Sequence, residues 1–465
     1  MKISLVNPSQ IGSKDVYIKD KGANVRSKAD YAWPPIDLMM VGGALKKTKH
    51  QFKIFDFNAW QTDINGMKKQ IKDYSPDMLL LLTSTPTFYN DTDIAKIFKN
   101  ILADVKIGLI GTHASAIPED ILKDYKEIDF IIRGDSWESI IDVIDFFEGK
   151  IKDIPNTYYR NGNKIEKGSD IKRKSLEIYP AHDAVDLRHY HVPYARFYPL
   201  TATLTSIGCP YSCVFCTTKM FPFRMRSVEN LMEELKHLCF EMNMKEIIFW
   251  DDTFTLFRDR AIKICDEMIK NRMNISWACS SRVDKIDKEL LKKMKEAGCH
   301  TVLLGVEFGN QRILDESKKN TTISQMKKVF KETKEVGIET LAHCVLGYPG
   351  ETKETMDETI KLVIELDPDF ASFNICTPFP GTDLYEICKK NGWIITHDFS
   401  KYEPTLYPVF ETPWLPRNVV WSTFHNSYRK FYIRPRYFFK RIKTWKSLRN
   451  VWEDIKNGIG LFKNL

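Results

Sequence analysis

Short apolar runs separated by amphipathic stretches set the rhythm of the first 150 residues. Ile3–Asn7, Phe52–Phe57, Met78–Thr83, Ile107–Ile110 and Phe130–Ile132 have the length and composition of buried strands. Between them, Ile36–Lys47, Asp63–Lys72, Asp91–Leu102 and Trp137–Phe147 read as helices. This alternation predicts a doubly wound parallel sheet with helices on both faces. Ligands of such sheets lie beyond the carboxyl ends of the strands. That edge carries Asn7-Pro8, Ser84-Thr85, Gly111-Thr112-His113 and Gly134-Asp135. No Gly-x-Gly-x-x-Gly follows the first strand, which argues against a dinucleotide site.

The pattern then breaks. Residues 151–195 read as a connector, with a hairpin signal at 158–165 turning on Asn161-Gly162, a polar stretch from Lys167 to Lys174, and Pro180 and Pro193 as punctuation. From Thr201 the alternation resumes and lasts to about residue 390. Strands are expected at Ala202–Thr205, Glu246–Trp250, Ser276–Cys279, Thr301–Val306, Glu339–Leu346 and Ala371–Cys376. Helices are expected at Val228–Met242, Arg258–Asn271, Asp287–Ala297, Ile323–Val336 and Lys353–Leu366. Six successive βα units imply a parallel barrel or partial barrel, whose chemistry collects at the carboxyl ends of its strands. The predicted α/β architecture is therefore a doubly wound domain (1–150), a connector (151–195), a partial barrel (196–395) and a helical tail (396–465).

Ten cysteines all fall between residues 209 and 388. In a chain of 465 residues without an export signal at its start, reduced thiols and metal binding fit better than a disulfide framework. Cys239, Cys265, Cys279, Cys299, Cys376 and Cys388 lie in helix or strand patterns and are expected to be small buried hydrophobes. Cys209, Cys213 and Cys216 are different: they share one loop directly after the first barrel strand. Three thiolates so spaced can hold one face of an iron–sulfur cube. Electron-transfer cubes use four cysteines, so three leave one iron open to a chelating ligand. Zinc is the alternative, but it usually takes a fourth protein ligand and paired Cys-x-x-Cys units.

Cys-x-x-x-Cys-x-aromatic-Cys resembles the signature of the radical S-adenosylmethionine (SAM) superfamily. The resemblance implies a [4Fe–4S] cluster on Cys209, Cys213 and Cys216. It also implies SAM bound to the open iron, cleavage to a 5′-deoxyadenosyl radical, and an external electron donor of flavodoxin or ferredoxin type. Further matches follow in barrel order across residues 201–388. Phe215 matches the aromatic residue beside the adenine. Asp251 and Asp252 resemble the acidic residues that hold the SAM amino group. Two adjacent carboxylates need a cation, and an ammonium supplies one; helix capping by Asp252 or Thr253 is the alternative. Ser280-Ser281-Arg282 ends the third strand, where polar groups of the family meet the SAM carboxylate or ribose. Glu307 ends the fourth, to bind ribose hydroxyls or to pair with Arg282. Val345-Leu346-Gly347-Tyr348-Pro349-Gly350-Glu351 resembles the adenine-contacting turn, with Gly347 allowing close backbone approach. Pro378-Phe379-Pro380-Gly381-Thr382 follows the sixth strand. His343 and Cys344, within the fifth strand, must face opposite sides. No side chain is singled out as catalytic.

A doubly wound domain ahead of this barrel resembles the cobalamin-binding domain of the B12-dependent radical SAM enzymes. The resemblance places Asn7, Pro8, Ser84, Thr85, Gly111, Thr112, His113 and Gly134 around cobalamin. Trp33-Pro34-Pro35-Ile36-Asp37-Leu38 and Arg133-Gly134-Asp135-Ser136-Trp137-Glu138 belong to the same pattern. The Asp-x-His-x-x-Gly loop that supplies a cobalt ligand in B12 mutases is missing, since Asp56 is followed by Phe57, Asn58, Ala59 and Trp60. Cobalamin is thus expected to bind without a histidine on cobalt, with His113 hydrogen-bonding the corrin or the backbone. A domain that has lost cobalamin and only supports the barrel is the alternative. A methylthiotransferase would need three more cysteines ahead of the signature, and there are none.

Charge is concentrated at the end. The net charge is +8, yet from Arg417 onward twelve Lys and Arg face only Glu453 and Asp454, which leaves the remainder near −2. Tyr428 to Lys446 interleaves aromatics with cations. This tail resembles the C-terminal segments of B12-dependent radical SAM enzymes acting on hydrophobic rings, such as hopanoid methylases and the anaerobic magnesium-protoporphyrin ester cyclase. An amphipathic cap with a solvated basic face is one reading and contact with anionic lipid another. Nucleic acid is not expected as a partner, because no RNA-binding module accompanies the charge. No apolar run reaches the ~18–20 residues of a membrane span, and a cytoplasmic, at most peripheral, location is expected. The expected activity is a cobalamin-dependent radical SAM methyl transfer to an unactivated carbon of a small-molecule or lipid-like substrate. Oxidative cyclisation with the same cofactors is the alternative enzyme reading, and an iron–sulfur redox or sensor protein the non-enzymatic one.

Overall fold

Seven strands pair in the first sheet of the computed structural model. They are β1 (Lys2–Asn7), β2 (Gln51–Asp56), β3 (Met78–Leu82), β4 (Lys106–Ile110), β5 (Phe130–Ile132), β6 (Thr157–Asn161) and β7 (Lys164–Lys167), in the order β2-β1-β3-β4-β5-β6-β7. The structure describes all residues except 20–24, 28–30, 135–136, 172–175, 445–457 and 459–465. Asp135, Ser136, the polar residues 172–174 and the tail cations and aromatics from Trp445 onward therefore lie outside the described residues.

β1 to β5 are mutually parallel. Their apolar runs are continuous because both faces are covered: Leu80 and Leu82 enter one core, Leu79 and Leu81 the other. The helix Ile36–Leu45 is buried at all ten positions, as expected of a helix that is apolar all round. One expectation needs correcting. The hairpin assigned to the connector instead extends the first sheet, with Tyr159 opposite Phe130 and β6 and β7 antiparallel. It covers the outer edge of β5, with Thr157 and Tyr159 on its buried face.

The second sheet is wholly parallel and runs in sequence order. Its strands are β8 (Leu200–Thr203), β9 (Glu246–Phe249), β10 (Ser276–Ser281), β11 (Cys299–Glu307), β12 (Glu339–Leu346) and β13 (Phe370–Ile375). The order leaves β8 and β13 at its two edges, so the barrel is partial. Helix starts on its outside are fixed by Ser227, Asp287, Thr322 and Thr352, each accepting from a backbone amide three residues on. The helix expected over 228–242 ends at Lys236 and widens into a π turn, His237–Glu241.

The helix Arg417–Tyr432 closes the β13 edge in an unusual way. The Tyr428 hydroxyl accepts from the Phe373 amide (3.1 Å) and donates to its carbonyl (2.9 Å). Tyr432 does the same for Ala371, at 3.0 and 2.8 Å. Four residues of helix rise about 6 Å and two residues of strand about 6.6 Å, so the two spacings match. No helix among the described residues is long and apolar enough to cross a membrane.

Candidate functional site

The cysteine loop is rooted before it begins. Ser206–Ile207 pairs antiparallel with Arg224–Met225, and Asp251 holds this root. Its carboxylate accepts from the Thr205 amide (2.9 Å), the Thr205 hydroxyl (2.7 Å) and the Ser206 hydroxyl (2.6 Å). Arg260 adds bonds to the Thr205 hydroxyl and carbonyl. The middle of the loop is pinned by Val214, whose amide donates to Ser317 O and whose carbonyl accepts from Leu384.

Cys213 lies within electrostatic reach of both Cys209 and Cys216. Burial raises all three thiol pKa values, that of Cys216 to about 12. Such thiols become thiolates when a metal replaces the proton. Among the described residues no three His, Cys, Asp or Glu side chains converge at the spacing of a single bound ion. Thiolates on the corners of a cube stand further apart, and this donor set fits a cube with one open iron.

Opposite charges flank the loop. Asp252, half-buried, accepts from Thr218 (3.1 Å) and lies near Cys209 and Cys216. Arg282 lies near both Cys209 and Cys213, and Lys319 near Cys213. Arg282 sits 3.7 Å over the Tyr211 ring, donates to Asp284 (2.8 Å) and holds the Lys319 carbonyl (2.8 Å). Burial opposes the Lys319 charge, yet Glu307 and Cys213 together keep its pKa above the ordinary value. A carboxylate and two cations around the loop complement a zwitterionic amino acid such as the methionine end of SAM.

Two expectations change here. Asp251 and Asp252 do not both face the loop's open side: Asp251 is buried beneath it and fully engaged by the protein, because successive residues leaving a strand point in opposite directions. Glu307 pairs with Lys319 (2.8 Å) rather than Arg282. A bulge between Gly305 and Glu307, with Glu307 at φ 60°, turns the carboxylate inward. A Cβ on Gly305 would lie 2.4 Å from that carboxylate and 2.7 Å from the Lys319 ammonium.

Ser281 is buried against Thr255 through their hydroxyls, whereas Ser280 is half-exposed on the inner face. Gly347, at φ 89°, and Tyr348 donate their amides to Glu351 at 2.7 and 3.0 Å. Burial pushes the Glu351 carboxyl up to about 8. Phe215 meets Phe308 edge-on at 5.8 Å, and Phe308 meets Tyr348 at 5.5 Å. His343 lies on the half-exposed inner face of β12 near Glu307 and Lys319, with burial lowering its pKa; Cys344 is buried toward the helices. In register beside His343 stands Ser372, with Asn374 one inward step further along β13.

A narrow cleft lies at the carboxyl edge of the first sheet. Of the eight residues expected there, Gly111, Thr112 and Gly134 line it, joined by Lys19, Trp137 and Phe221. The other five are engaged behind it. Asn7 donates to Asp56 (2.8 Å), and the Pro8 carbonyl accepts from Lys19 (3.3 Å). Ser84 bonds Thr87, and Thr85 bonds His113. His113 is boxed by Phe88 and Phe399, and burial drives its pKa down to about 3, so the ring is neutral. Asp56 caps the short helix Phe57–Trp60 and accepts from Tyr190 (3.0 Å), with burial raising its pKa to about 6.

Two glycines, Gly111 and Gly134, stand among the lining residues beside Lys19, Asp37, Thr112 and Trp137. Gly111 sits at φ 121°, where a Cβ would come within 2.0 Å of the Thr83 carbonyl. Without a Cβ at this turn, a flat ligand such as a corrin would be able to approach the backbone closely. Two groups escaped the sequence reading. Lys19 forms a fully buried pair with Asp91 (2.8 Å) from a loop with no periodic signal. Lys319 stands twelve residues beyond Glu307 in a charged run that reads as surface.

Comparison with known proteins agrees with this geometry. The model of the Radical SAM superfamily matches residues 203–363, and that of the B12 binding domain matches residues 23–143. An uncharacterized methyltransferase of Pyrococcus horikoshii is 34% identical over 417 residues, covering 88% of this chain and 90% of the relative. The anaerobic magnesium-protoporphyrin IX monomethyl ester cyclase of Cereibacter sphaeroides is 26% identical over 425 residues, 88% of this chain and 68% of the cyclase. The cobalamin-dependent SAM radical enzyme OxsB, with aqua-cobalamin and SAM bound, shares the fold at a TM-score of 0.74 and 16% identity, over 99% of this chain and 72% of OxsB. The chain belongs to the cobalamin-dependent radical SAM methyltransferase family, whose cofactors are a [4Fe–4S] cluster, SAM and cobalamin.

Proposed function

We propose that this enzyme transfers a methyl group to an unactivated carbon of a small-molecule or lipid-like substrate held between its two sheets. The observation that carries this reading is the meeting of the two carboxyl edges. Phe221, from the ribbon that closes the cysteine loop, lines the cleft of the first sheet and stands 3.7 Å from the Cβ position of Gly134. Substrate at this seam would be reached from both sides. When bound, the cluster and SAM supply a radical that removes hydrogen from carbon, and cobalamin supplies the methyl group.

The chain's own residues divide the remaining work. Cys209, Cys213 and Cys216 ligate the cluster. Asp252 takes the SAM ammonium, while Lys319 and Arg282 take its carboxylate. Glu307 binds the ribose hydroxyls, and Phe215 and the Gly347 turn flank the adenine. Asp251 and Ser281 support from beneath. Gly111, Thr112 and Gly134 form the cobalamin rim, backed by Asn7, Pro8, Ser84, Thr85 and His113. His113, boxed by Phe88 and Phe399 and bonded to Thr85, would support the rim from behind rather than reach the cofactor. His343, Ser372 and Asn374 present neutral hydrogen-bonding groups to substrate inside the barrel. Residues 1–150 with the hairpin to 167 form the cobalamin unit, 196–395 the SAM barrel, and 396–465 its cap, joined to the rest through the connector. The reducing electron comes from an external flavodoxin- or ferredoxin-type donor, and the tail touches a membrane surface. A second reading, oxidative ring closure, draws on the likeness to the Cereibacter sphaeroides cyclase.

The test is anaerobic reconstitution with iron, sulfide and hydroxocobalamin, followed by SAM labelled in its methyl group and a strong reductant. The expected result is 5′-deoxyadenosine together with a product carrying the labelled methyl. No 5′-deoxyadenosine would sink the radical reading. An unlabelled, oxidised product would favour ring closure. Failure to retain cobalamin would remove methyl transfer and leave the barrel chemistry standing.

A further inference from the structure

The helix Pro435–Thr444 has its polarity reversed. A surface helix ordinarily buries its apolar stripe and exposes its charges. Here the polar groups turn inward. Tyr437 donates to the Asp369 carbonyl (3.1 Å), and Lys440 reaches the Asp367 carbonyl (2.8 Å) and the Asp369 carboxylate (3.0 Å). Arg441 lies 4.8 Å over the Phe370 ring. The apolar groups turn outward: Phe438 is 57% exposed, Phe439 64% and Ile442 38%, with Ile433 at 66% just ahead of the helix. Pro435, Phe438, Phe439 and Ile442 recur at the spacing of one helix face.

Charge identifies what would cover this face. From Arg417 to Trp452 the sequence holds ten Lys and Arg and not one Asp or Glu. Arg436, whose side chain is 74% exposed, reaches Asp367 at 3.3 Å, where Arg434, Arg436 and Lys440 together outnumber Asp367 and Asp369. Exposed aromatic and aliphatic side chains inside a field of cations are the two requirements for binding at the headgroup layer of an anionic bilayer. We propose that this helix docks the enzyme on an anionic lipid surface.

Its position matters. Asp367, Asp369 and Phe370 mark the amino end of β13, opposite the carboxyl edge that carries the cysteine loop. The docking face therefore leaves both cofactor edges unobstructed. The inference rests on this surface and not on the methyl-transfer reading, so each can fail alone.

The test is sedimentation of the full-length reconstituted enzyme with vesicles of phosphatidylcholine, alone or with about a third phosphatidylglycerol. The bound fraction should rise with phosphatidylglycerol and fall with added salt. Replacing both rings, Phe438→Asp with Phe439→Asp, should weaken partitioning at least about tenfold with cluster content unchanged. Arg436→Gln should lower only the phosphatidylglycerol-dependent part, by about three- to fivefold. Equal sedimentation of the wild type and the double variant would overturn the proposal, as would no binding to phosphatidylglycerol vesicles at low salt. A concentration-dependent dimer that the double substitution abolishes, without vesicle binding, would assign the face to a second copy and also overturn it.

Discussion

The two sheets present opposite kinds of edge to their ligands. At the carboxyl edge of the first sheet, polar side chains are bonded to one another: Asn7 to Asp56, Ser84 to Thr87, Thr85 to His113, Lys19 to Asp91. What lines the cleft is a mixture of apolar residues, two glycines and a few polar groups such as Thr112 and the paired Lys19. At the carboxyl edge of the barrel, charged side chains of both signs surround the cysteine loop: Asp252, Arg282, Lys319 and Glu307. Ligand size explains the difference. A compact zwitterion is recognised by a few opposite charges at short range. A broad ring is recognised along a whole edge, where small residues and smooth backbone matter more than any single charge. Breaking one edge should therefore leave the other working.

The largest effect should come from the loop itself. Cys213→Ala removes one of three ligands, and 5′-deoxyadenosine formation should fall by at least about a thousandfold. Cobalamin retention, read from the visible spectrum after desalting, should not change. Loss of both cofactors together would mean that the two edges fold as one unit.

Next in size is the Glu307–Lys319 pair, whose side chains are 12% and 9% exposed. Lys319→Met strands a buried carboxylate, which costs about 3 kcal/mol when a buried pair is broken on one side. Urea midpoints should fall accordingly, and SAM affinity, measured by equilibrium dialysis, should fall by about tenfold or more. Glu307→Gln with Lys319→Met should recover part of the stability but not the SAM affinity. Full recovery of affinity would reduce the pair to scaffold.

Gly111→Ala tests the other edge. The new Cβ would meet the Thr83 carbonyl at 2.0 Å on a backbone that side chains avoid, so β3 and β4 must shift at their ends. Strain of about 1–3 kcal/mol is expected. Cobalamin binding should weaken by about tenfold, with SAM cleavage preserved. Unchanged cobalamin affinity would show that the cradle is not built on this turn.

How much of this was legible in the sequence follows from the range of the interactions. The strand–helix alternation was readable because both sheets repeat a local pattern, and the three cysteines because they sit within eight residues of one another. The partner of Glu307 was not, because a bulge that rotates a strand end leaves no periodic trace. Nor was the division of labour between Asp251 and Asp252, which depends on the direction in which the chain leaves β9. The hairpin was recognised but misplaced, since a turn signal says nothing about which sheet edge the strands will join. Tyr428 and Tyr432 read as part of a basic, aromatic tail. Their work on β13 depends on a helix meeting a strand at matching spacing, which only the folded chain reveals.

The smallest effect separates a charge that faces a ligand from one that faces inward at the same edge. Glu351 belongs to the barrel edge by position but to the interior by environment: it accepts from the Gly347 and Tyr348 amides and is fully buried. Its pKa rises from the ordinary 4.5 to about 8. Above 4.5 the unfolded chain has given up this proton, while the folded chain keeps it until about pH 8. The folded state binds more protons across that window, so stability should fall as pH rises through it, by at most about 1.4 kcal/mol per pH unit. Glu351→Gln should flatten the dependence of the urea midpoint on pH in this range, at little cost below it, because the amide retains an acceptor for the turn. An undiminished slope in this variant would move the titrating group elsewhere. It would also mean that the amides of Gly347 and Tyr348 keep Glu351 ionised in spite of its burial.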